Sequence, residues 1–514
     1  MPSHGPCQSA GPAPSFGSVI GSNPRHWQDP ATLVALLITG QIVVWTLAPA
    51  LTHSSPPLDV VEGYMWGREW VLATYKHPAL PSWALEASRI LTGAIGWPAY
   101  LLSQLCVAAT FLFVYLLGRD LMGPSRAAAG TLLLTGVAFY AWPTPEFNHN
   151  LAETPIWAAL PWALWHAVNA RSSLWWVLSG ALAALGMYAK FSTALLLVVL
   201  AAWILADPKA RARLRTPGPW LALLAFAILF APMAFWLIAN AFAPLHYAAL
   251  RSTVVGGGGL HHFVLNVGLN LVGMLAMLLI AGLLGPRPLR APPAAAPIQA
   301  GAVPYLAVLT VGPPAVAVLG ALIGQASLKS AWGSCMFNFA GLLAVALTAA
   351  RFEERALARI AVCSAVLLLV VPIGYGLIVL TSPILSGTPM RVSWPQAEIS
   401  ARMSAIFERE TGQPLRIVTG DDWVAGLVGI SARSRPSIVS RGELALSPWI
   451  SKERLERQGM LIVWDAKRRR LPAVLLALLA GQRQGEERFK WPNAKALGDL
   501  AIGYAIIPPS SLLR

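Results

Sequence analysis

Residues 174–206 read LWWVLSGALAALGMYAKFSTALLLVVLAAWILA, with Lys190 the only charged residue. A helix needs ~20 apolar residues to cross a bilayer, so this stretch is long for one crossing and short for two. Its flanks decide the matter. Arg171 precedes it, and Lys209, Arg211, Arg213 and Arg215 follow it. Short loops rich in Lys and Arg stay in the cytoplasm. The two flanks share a side only if an even number of crossings separates them. The stretch therefore predicts two short spans, 174–189 and 191–206, turned at Lys190.

Outward from this hairpin, hydropathy predicts further spans near 31–51, 98–118, 127–142, 154–170, 219–239, 263–284, 303–322, 335–350 and 360–381. Under this assignment Arg119, Arg126, Arg287, Arg290, Arg351, Arg355 and Arg359 fall on the side of Arg171. The expected architecture is an all-α polytopic membrane domain, 30–381, of about 11 transmembrane helices, with the C-terminus outside. Composition agrees: of 514 residues 56% are hydrophobic and 12% charged, about half the ~25% of soluble domains, which excludes an ordinary cytosolic enzyme. The net charge of +15 belongs to cytoplasmic loops rather than to nucleic-acid binding. Cys7, Cys106, Cys335 and Cys363 show no paired spacing of a metal or redox motif. Residues 1–29, rich in Gly, Pro and Ser, read as a disordered cytoplasmic tail before an uncleaved anchor.

From 382 to 514 the residues become mixed and polar. Strands near 415–420, 436–440, 460–464 and 504–508, interleaved with helices near 423–431 and 451–458, predict a small extracytoplasmic α/β domain. Its Trp394, Asp421, Asp422, Trp423, Arg441, Trp449 and Trp464 read first as core and surface residues, with acceptor recognition the alternative.

Two outer loops and a set of solitary cations carry the functional signal. The first loop, 52–97, contains Asp59 and Glu62, then Tyr75-Lys76-His77-Pro78. On a helix, Asp59 and Glu62 share a face at i, i+3, and one carboxylate near another raises a pKa toward that of a useful base. Solvated charges on an interfacial helix, with Trp66, Trp70 and Trp83 at headgroup depth, are the alternative. Lys190, Arg251 and Lys329 are each the only charged residue of a long apolar stretch, and each is expected at an outer span end. Ionisable groups at membrane depth are costly and are functional candidates by default. With Lys76 they would suit a phosphate held at the membrane surface; snorkelling to headgroups is the alternative. The loop 240–262 holds His246, Gly256-Gly257-Gly258-Gly259 and His261-His262. The glycines read as a hinge, and the histidines as weak candidates for a divalent cation. Between Pro143 and Glu153, the residues Glu146, Asn148, His149 and Glu153 form a polar cluster suited to sugar hydroxyls, and His77 in the first loop and His246 in the loop 240–262 are candidates for the same sugar or acceptor binding; turn and cap roles compete.

In these features the chain resembles the GT-C fold glycosyltransferases, in particular the superfamily of protein O-mannosyltransferases and lipid A aminoarabinose transferase (glycosyltransferase families 39 and 83). The resemblance rests on Asp59 soon after the first span, on Lys76-His77-Pro78, on Tyr188-Ala189-Lys190-Phe191 between two spans, and on Lys329-Ser330-Ala331-Trp332-Gly333 entering a late one. It implies transfer of a monosaccharide from a polyprenyl-phosphate carrier to a hydroxyl of a glycolipid, glycan or protein, with inversion, at the outer face of the bacterial inner membrane. Asp59 would then be the catalytic carboxylate, with Glu62 as its partner, and Lys76 would bind the carrier phosphate. The chain departs from the protein mannosyltransferases, which place two acidic residues side by side, and from the aminoarabinose enzyme, which has Glu-Lys-Pro where this chain has Tyr-Lys-His-Pro. Such chemistry needs a base and cations for the leaving phosphate; it requires no cofactor, and leaves a divalent cation possible. The rival reading is a transporter or flippase for an anionic lipid-linked substrate; the internal repeats common in transporters are not seen here.

Overall fold

The computed structural model describes residues 29–170, 172–253, 260–284, 297–467, 471–492 and 497–510. The N-terminal tail, Cys7, Arg171, the run Gly256–Gly259, Arg287 and Arg290 lie outside them.

The chain enters as α1 (Pro30–Thr52), started by the Asp29 side chain accepting from the Thr32 amide. Two loop helices follow, α2 (Leu58–Gly67) and α3 (Leu80–Thr92), and then α4 (Trp97–Met122). The bundle continues through α5 (Pro124–Leu132), α6 (His149–Asn169), α7 (Leu174–Ala189), α8 (Thr193–Ala206), the short α9 (Pro208–Arg213) and α10 (Pro217–Ala239). It closes with α11 (Ala243–Thr253), α12 (Leu260–Asn270), α13 (Val272–Ile280), α14 (Ala302–Ile323), α15 (Ala340–Leu347) and α16 (Glu354–Ser386).

Helix is present in each of the eleven stretches that hydropathy marks, though not every one is by itself long enough to cross a bilayer. Among the described residues six helices are long and apolar enough to cross a membrane, or seven if the bent pair Ser330–Phe337 and Ala340–Leu347 is one span. The stretch 127–142 is not one helix; α5 ends at Leu132 and passes into two 3₁₀ turns. Bilayer thickness sets the length only of elements that face lipid along their whole extent. Helices α5 and α6 are largely buried among their neighbours, so packing rather than hydropathy sets their ends.

The hairpin read from 174–206 is present. Helix α7 stops at Lys190, whose backbone is extended, and α8 starts three residues later. At the other end, Lys209 donates to the Asn169 side chain at 2.6 Å, and Arg213 to the carbonyls of Val168 and Ala170. The segments entering and leaving the hairpin are therefore in contact. Helix α7 packs on α10 through Gly180, where a Cβ would lie 2.0 Å from the Ala222 carbonyl oxygen. Gly180→Val is expected to force these helices apart and lower the melting temperature, since overpacking costs about 1–3 kcal/mol or more. A melt equal to wild type would refute the close approach.

Polar side chains stitch the bundle where the apolar pattern gives no register. Gln41 on α1 donates to Gln104 on α4 at 2.9 Å and to the Tyr140 carbonyl at 3.1 Å. In α6, Pro155 cannot donate to the Leu151 carbonyl; the Thr154 hydroxyl does so instead, at 2.8 Å. The Asn338 side chain donates to the Thr154 carbonyl at 2.9 Å. Buried polar groups of this kind are satisfied pairwise, which pins helices that hydrophobicity alone leaves free to slide.

The C-terminal region carries a five-stranded sheet in the order β2-β1-β3-β5-β4. Strands β1 (Ile417–Gly420), β2 (Ser437–Val439) and β3 (Met460–Asp465) are parallel, while β4 (Gln484–Phe489) and β5 (Leu500–Ile507) are antiparallel. Helices α17 (Gln396–Thr411), α18 (Asp422–Ser431), α19 (Lys452–Gln458) and α20 (Ala473–Leu479) accompany it. Strand β4 escapes the sequence reading because Gln484–Phe489 carries two Glu and an Arg on an edge with alternating exposure. The sheet unit clasps the first loop. A Cβ on Gly426 of α18 would lie 2.4 Å from Val61 of α2, Arg435 pairs with Glu86 of α3 at 2.6 Å, and Arg68 donates to Ser437 at 2.6 Å.

Candidate active site

Pro57 precedes α2 and Asp59 lies in its first turn, where a carboxylate is favoured by the helix dipole. The helix puts Asp59 and Glu62 on one face, and the tertiary structure then assigns them different partners. The Asp59 carboxylate accepts from the Asn148 amide at 2.9 Å, and its backbone N–H donates to Glu146 at 2.9 Å. Glu62 instead takes the Lys76 ammonium at 2.6 Å. Burial raises the Glu62 pKa against the opposing pull of Lys76, and the Glu62 charge holds Lys76 protonated despite its own burial. Burial and the Asp59 charge push Glu146 up to about 7.

Beside this pair lies a cavity of about 200 Å³, lined by Lys76, His77, Lys190, Tyr247, Arg251 and Trp332 among others. Three of the four cations picked from the sequence thus meet in one space. Lys329 does not line it, although it is near enough that, with its own desolvation, the charges of Arg251 and Lys76 lower its pKa. Lys190 donates to Asn150 at 2.6 Å and to the wholly buried Glu153 at 3.2 Å, and Glu153 also accepts from Ser192 at 2.7 Å. A buried carboxylate with this set of donors fixes the ammonium at the cavity wall. His77 stacks on His149 with ring centroids 4.0 Å apart, and His149 bonds to the Pro78 carbonyl at 3.0 Å. Burial, with the cations around it, keeps His77 well below its ordinary pKa and so neutral.

The structure leaves some sequence candidates apart. His246 is exposed, and its neighbour Tyr247 lines the cavity instead. Helical phase accounts for this: Pro244, Tyr247, Ala248 and Arg251 line the cavity and form an i, i+3, i+4, i+7 face that excludes His246. His261 and His262 are exposed with rings 4.3 Å apart. Among the described residues no three His, Cys, Asp or Glu side chains are grouped to hold a metal ion.

The fold also gathers around Lys76 residues that the sequence does not place there: Tyr75 and Tyr247 are not candidates, Trp66 reads as interfacial, and Arg441 as a surface or acceptor-binding group. The Lys76 ammonium lies 5.7 Å from the Trp66 ring centre and 6.0 Å from that of Tyr247. Tyr75 meets Tyr247 edge-on at 5.7 Å. From the sheet unit, the Arg441 guanidinium lies 5.8 Å from the Tyr75 ring centre, held by Asp422, which accepts from the Arg441 amide at 2.9 Å and side chain at 3.3 Å. Arg441 has φ of 56°, a left-handed conformation unusual for a residue with a side chain. No sequence pattern links position 441 to position 75; only the docking of the sheet unit does.

Residues 76–236 match a protein-family model for dolichyl-phosphate-mannose-protein mannosyltransferase. Among solved structures, the chain is similar to ArnT from Cupriavidus metallidurans bound to undecaprenyl phosphate, with a TM-score of 0.60 and 14% identity, covering 92% of this chain and 97% of that one. The apo state of the same protein gives a TM-score of 0.59 and 13% identity, covering 94% of this chain and 99% of that one. At this identity the likeness is one of fold. No curated protein matches by sequence.

Proposed function

We propose that this multi-pass membrane protein, which has the GT-C glycosyltransferase fold, moves a monosaccharide from a polyprenyl-phosphate carrier to a hydroxyl acceptor. The observation that carries this reading is the cavity lined by Lys76, Lys190 and Arg251, next to a helix that presents Asp59. A phosphodiester donor carries one negative charge and leaves with a second developing. Fixed cations stabilise that development without the reorganisation that water would need. Asp59, oriented by Asn148, takes the acceptor proton as the oxygen attacks. Attack opposite the leaving phosphate inverts the anomeric centre.

The cavity and the sheet unit belong, in this reading, on the extracytoplasmic side of a bacterial inner membrane. Under the topology read from the sequence, Arg119, Lys209, Arg211, Arg213, Arg215, Arg351, Arg355 and Arg359 fall on the opposite side, which supports that orientation. The boundary between the two units falls between α16 and α17. The test is a transfer assay with purified protein, a pool of polyprenyl-phosphate sugars and a membrane extract. A new glycosylated product is expected; vesicle accumulation of the carrier with no product would replace this reading with transport.

Arg441→Ala is expected to raise the donor KM several-fold while kcat stays within about twofold, because it removes a cation–π contact worth about 0.5–1 kcal/mol or more from Tyr75, the neighbour of Lys76. An unchanged KM would show that the sheet unit does not shape the cavity.

A further inference from the structure

At the end of the bundle away from the sheet unit lies a second cavity of about 200 Å³, lined by Arg351, Arg355, Arg359 and Glu353 with Gly282. Helix α16 begins at Glu354 and runs 33 residues to Ser386, so this site lies about 50 Å from the end where the chain passes to α17. It is separate from the transfer site, and nothing in the proposed reaction uses it.

Among the described residues none of the three arginines is paired with a carboxylate. Among the described residues Arg355 and Arg359 make no ion pair or hydrogen bond, and Glu353 pairs with neither. Arg351 donates to the Leu283 carbonyl at 3.1 Å, which pins its guanidinium at the cavity edge. Arg355 and Arg359 are four apart on one helix face, and like charges at that spacing destabilise a helix. Cations retained only to orient the chain in the membrane have no reason to converge on one cavity. An anion in the space would remove the repulsion and fill the unused donors, and guanidinium groups match phosphate oxygens two at a time.

The depth of the cavity names the carrier of that anion. Val362, three residues along α16 from Arg359, is 64% exposed, and Ile280, two residues before Gly282, is 57% exposed. Apolar side chains this open in a membrane bundle face lipid tails. The arginines thus sit about one helical turn beyond the hydrocarbon edge, at headgroup depth. We infer that Arg351, Arg355 and Arg359 form a phosphate site for the headgroup of an anionic phospholipid, at the end of the bundle opposite the sheet unit.

The test is native mass spectrometry of the full chain released from nanodiscs of phosphatidylglycerol or phosphatidylcholine. The wild-type protein is expected to retain phosphatidylglycerol and lose phosphatidylcholine. Arg355→Gln with Arg359→Gln is expected to weaken that retention by about tenfold or more, the scale of one or two charge-assisted hydrogen bonds. Lys209→Gln with Arg211→Gln removes the same charge from α9 at the same end and is expected to leave retention unchanged. Equal retention by the wild type and the Arg355/Arg359 variant, or equal loss in both double variants, would overturn the site. Displacement of the lipid by millimolar inorganic phosphate would keep the phosphate site and reassign its occupant to a soluble anion.

Discussion

Asp59→Asn is expected to lower kcat by about 10²–10⁴-fold, the contribution of a positioned general base. The substitution is close to isosteric, and the new amide oxygen can still accept from Asn148, so the protein should purify and melt like the wild type. Donor KM should change little, because Asp59 does not line the cavity that holds the three cations. A fall in kcat without a rise in KM is the signature of an interaction made in the transition state. The measurement is steady-state formation of the glycosylated product with saturating polyprenyl-phosphate sugar, beside a binding assay with the unglycosylated polyprenyl phosphate. Full activity in the variant would remove Asp59 from the chemistry. Loss of carrier binding together with activity would make it a binding residue instead.

Lys76→Gln carries the second large effect, and it acts in two ways. It takes a cation from the cavity, weakening donor binding by about 10–100-fold if one charge-assisted contact to phosphate is lost. It also leaves Glu62 buried without its partner, at a cost to stability of up to about 3–5 kcal/mol. A double variant separates the two: Glu62→Gln in the Lys76→Gln background is expected to restore the melting temperature but not donor binding. The pH dependence has a definite sign. Burial already raises the Glu62 pKa in the folded chain, and loss of the Lys76 charge raises it further. A carboxyl whose folded pKa is raised stabilises the fold most when protonated, so the single variant should lose stability as pH rises through the carboxylate range and above. A melting temperature independent of pH, or recovered donor binding in the double variant, would show that the Lys76–Glu62 pair is not arranged as described.

Much of the architecture was legible before any coordinates. The flanking cations of 174–206 require a hairpin, and the contacts of Lys209 and Arg213 with residues 168–170 are that hairpin closing. Periodicity also identified β1, β2, β3 and α18 with boundaries close to those observed. It does not set where each span ends, because hydropathy measures how apolar a segment is, while α5 and α6 are apolar through burial in protein. Tyr247 carries no ionisable signal of its own beside His246, yet it lies on the i, i+3, i+4, i+7 face that runs from Pro244 to Arg251.

What the sequence determined by itself is the membrane setting and the supply of charges. Long apolar runs, the sides on which Lys and Arg fall, and the helical spacing of Asp59 and Glu62 are all local properties, written within a few turns of chain. The division of labour between those two carboxylates is not local. Asp59 and Glu62 stand on the same helix face, and nothing in their spacing says which receives the lysine. The tertiary structure decides it by bringing Asn148 and Glu146 from one loop to Asp59 and Lys76 from another to Glu62. It likewise delivers Arg441 to Tyr75 across more than three hundred residues. A charge is set by the residue, but its partner is set by distance, and distance between remote segments exists only once the bundle and the sheet unit have packed.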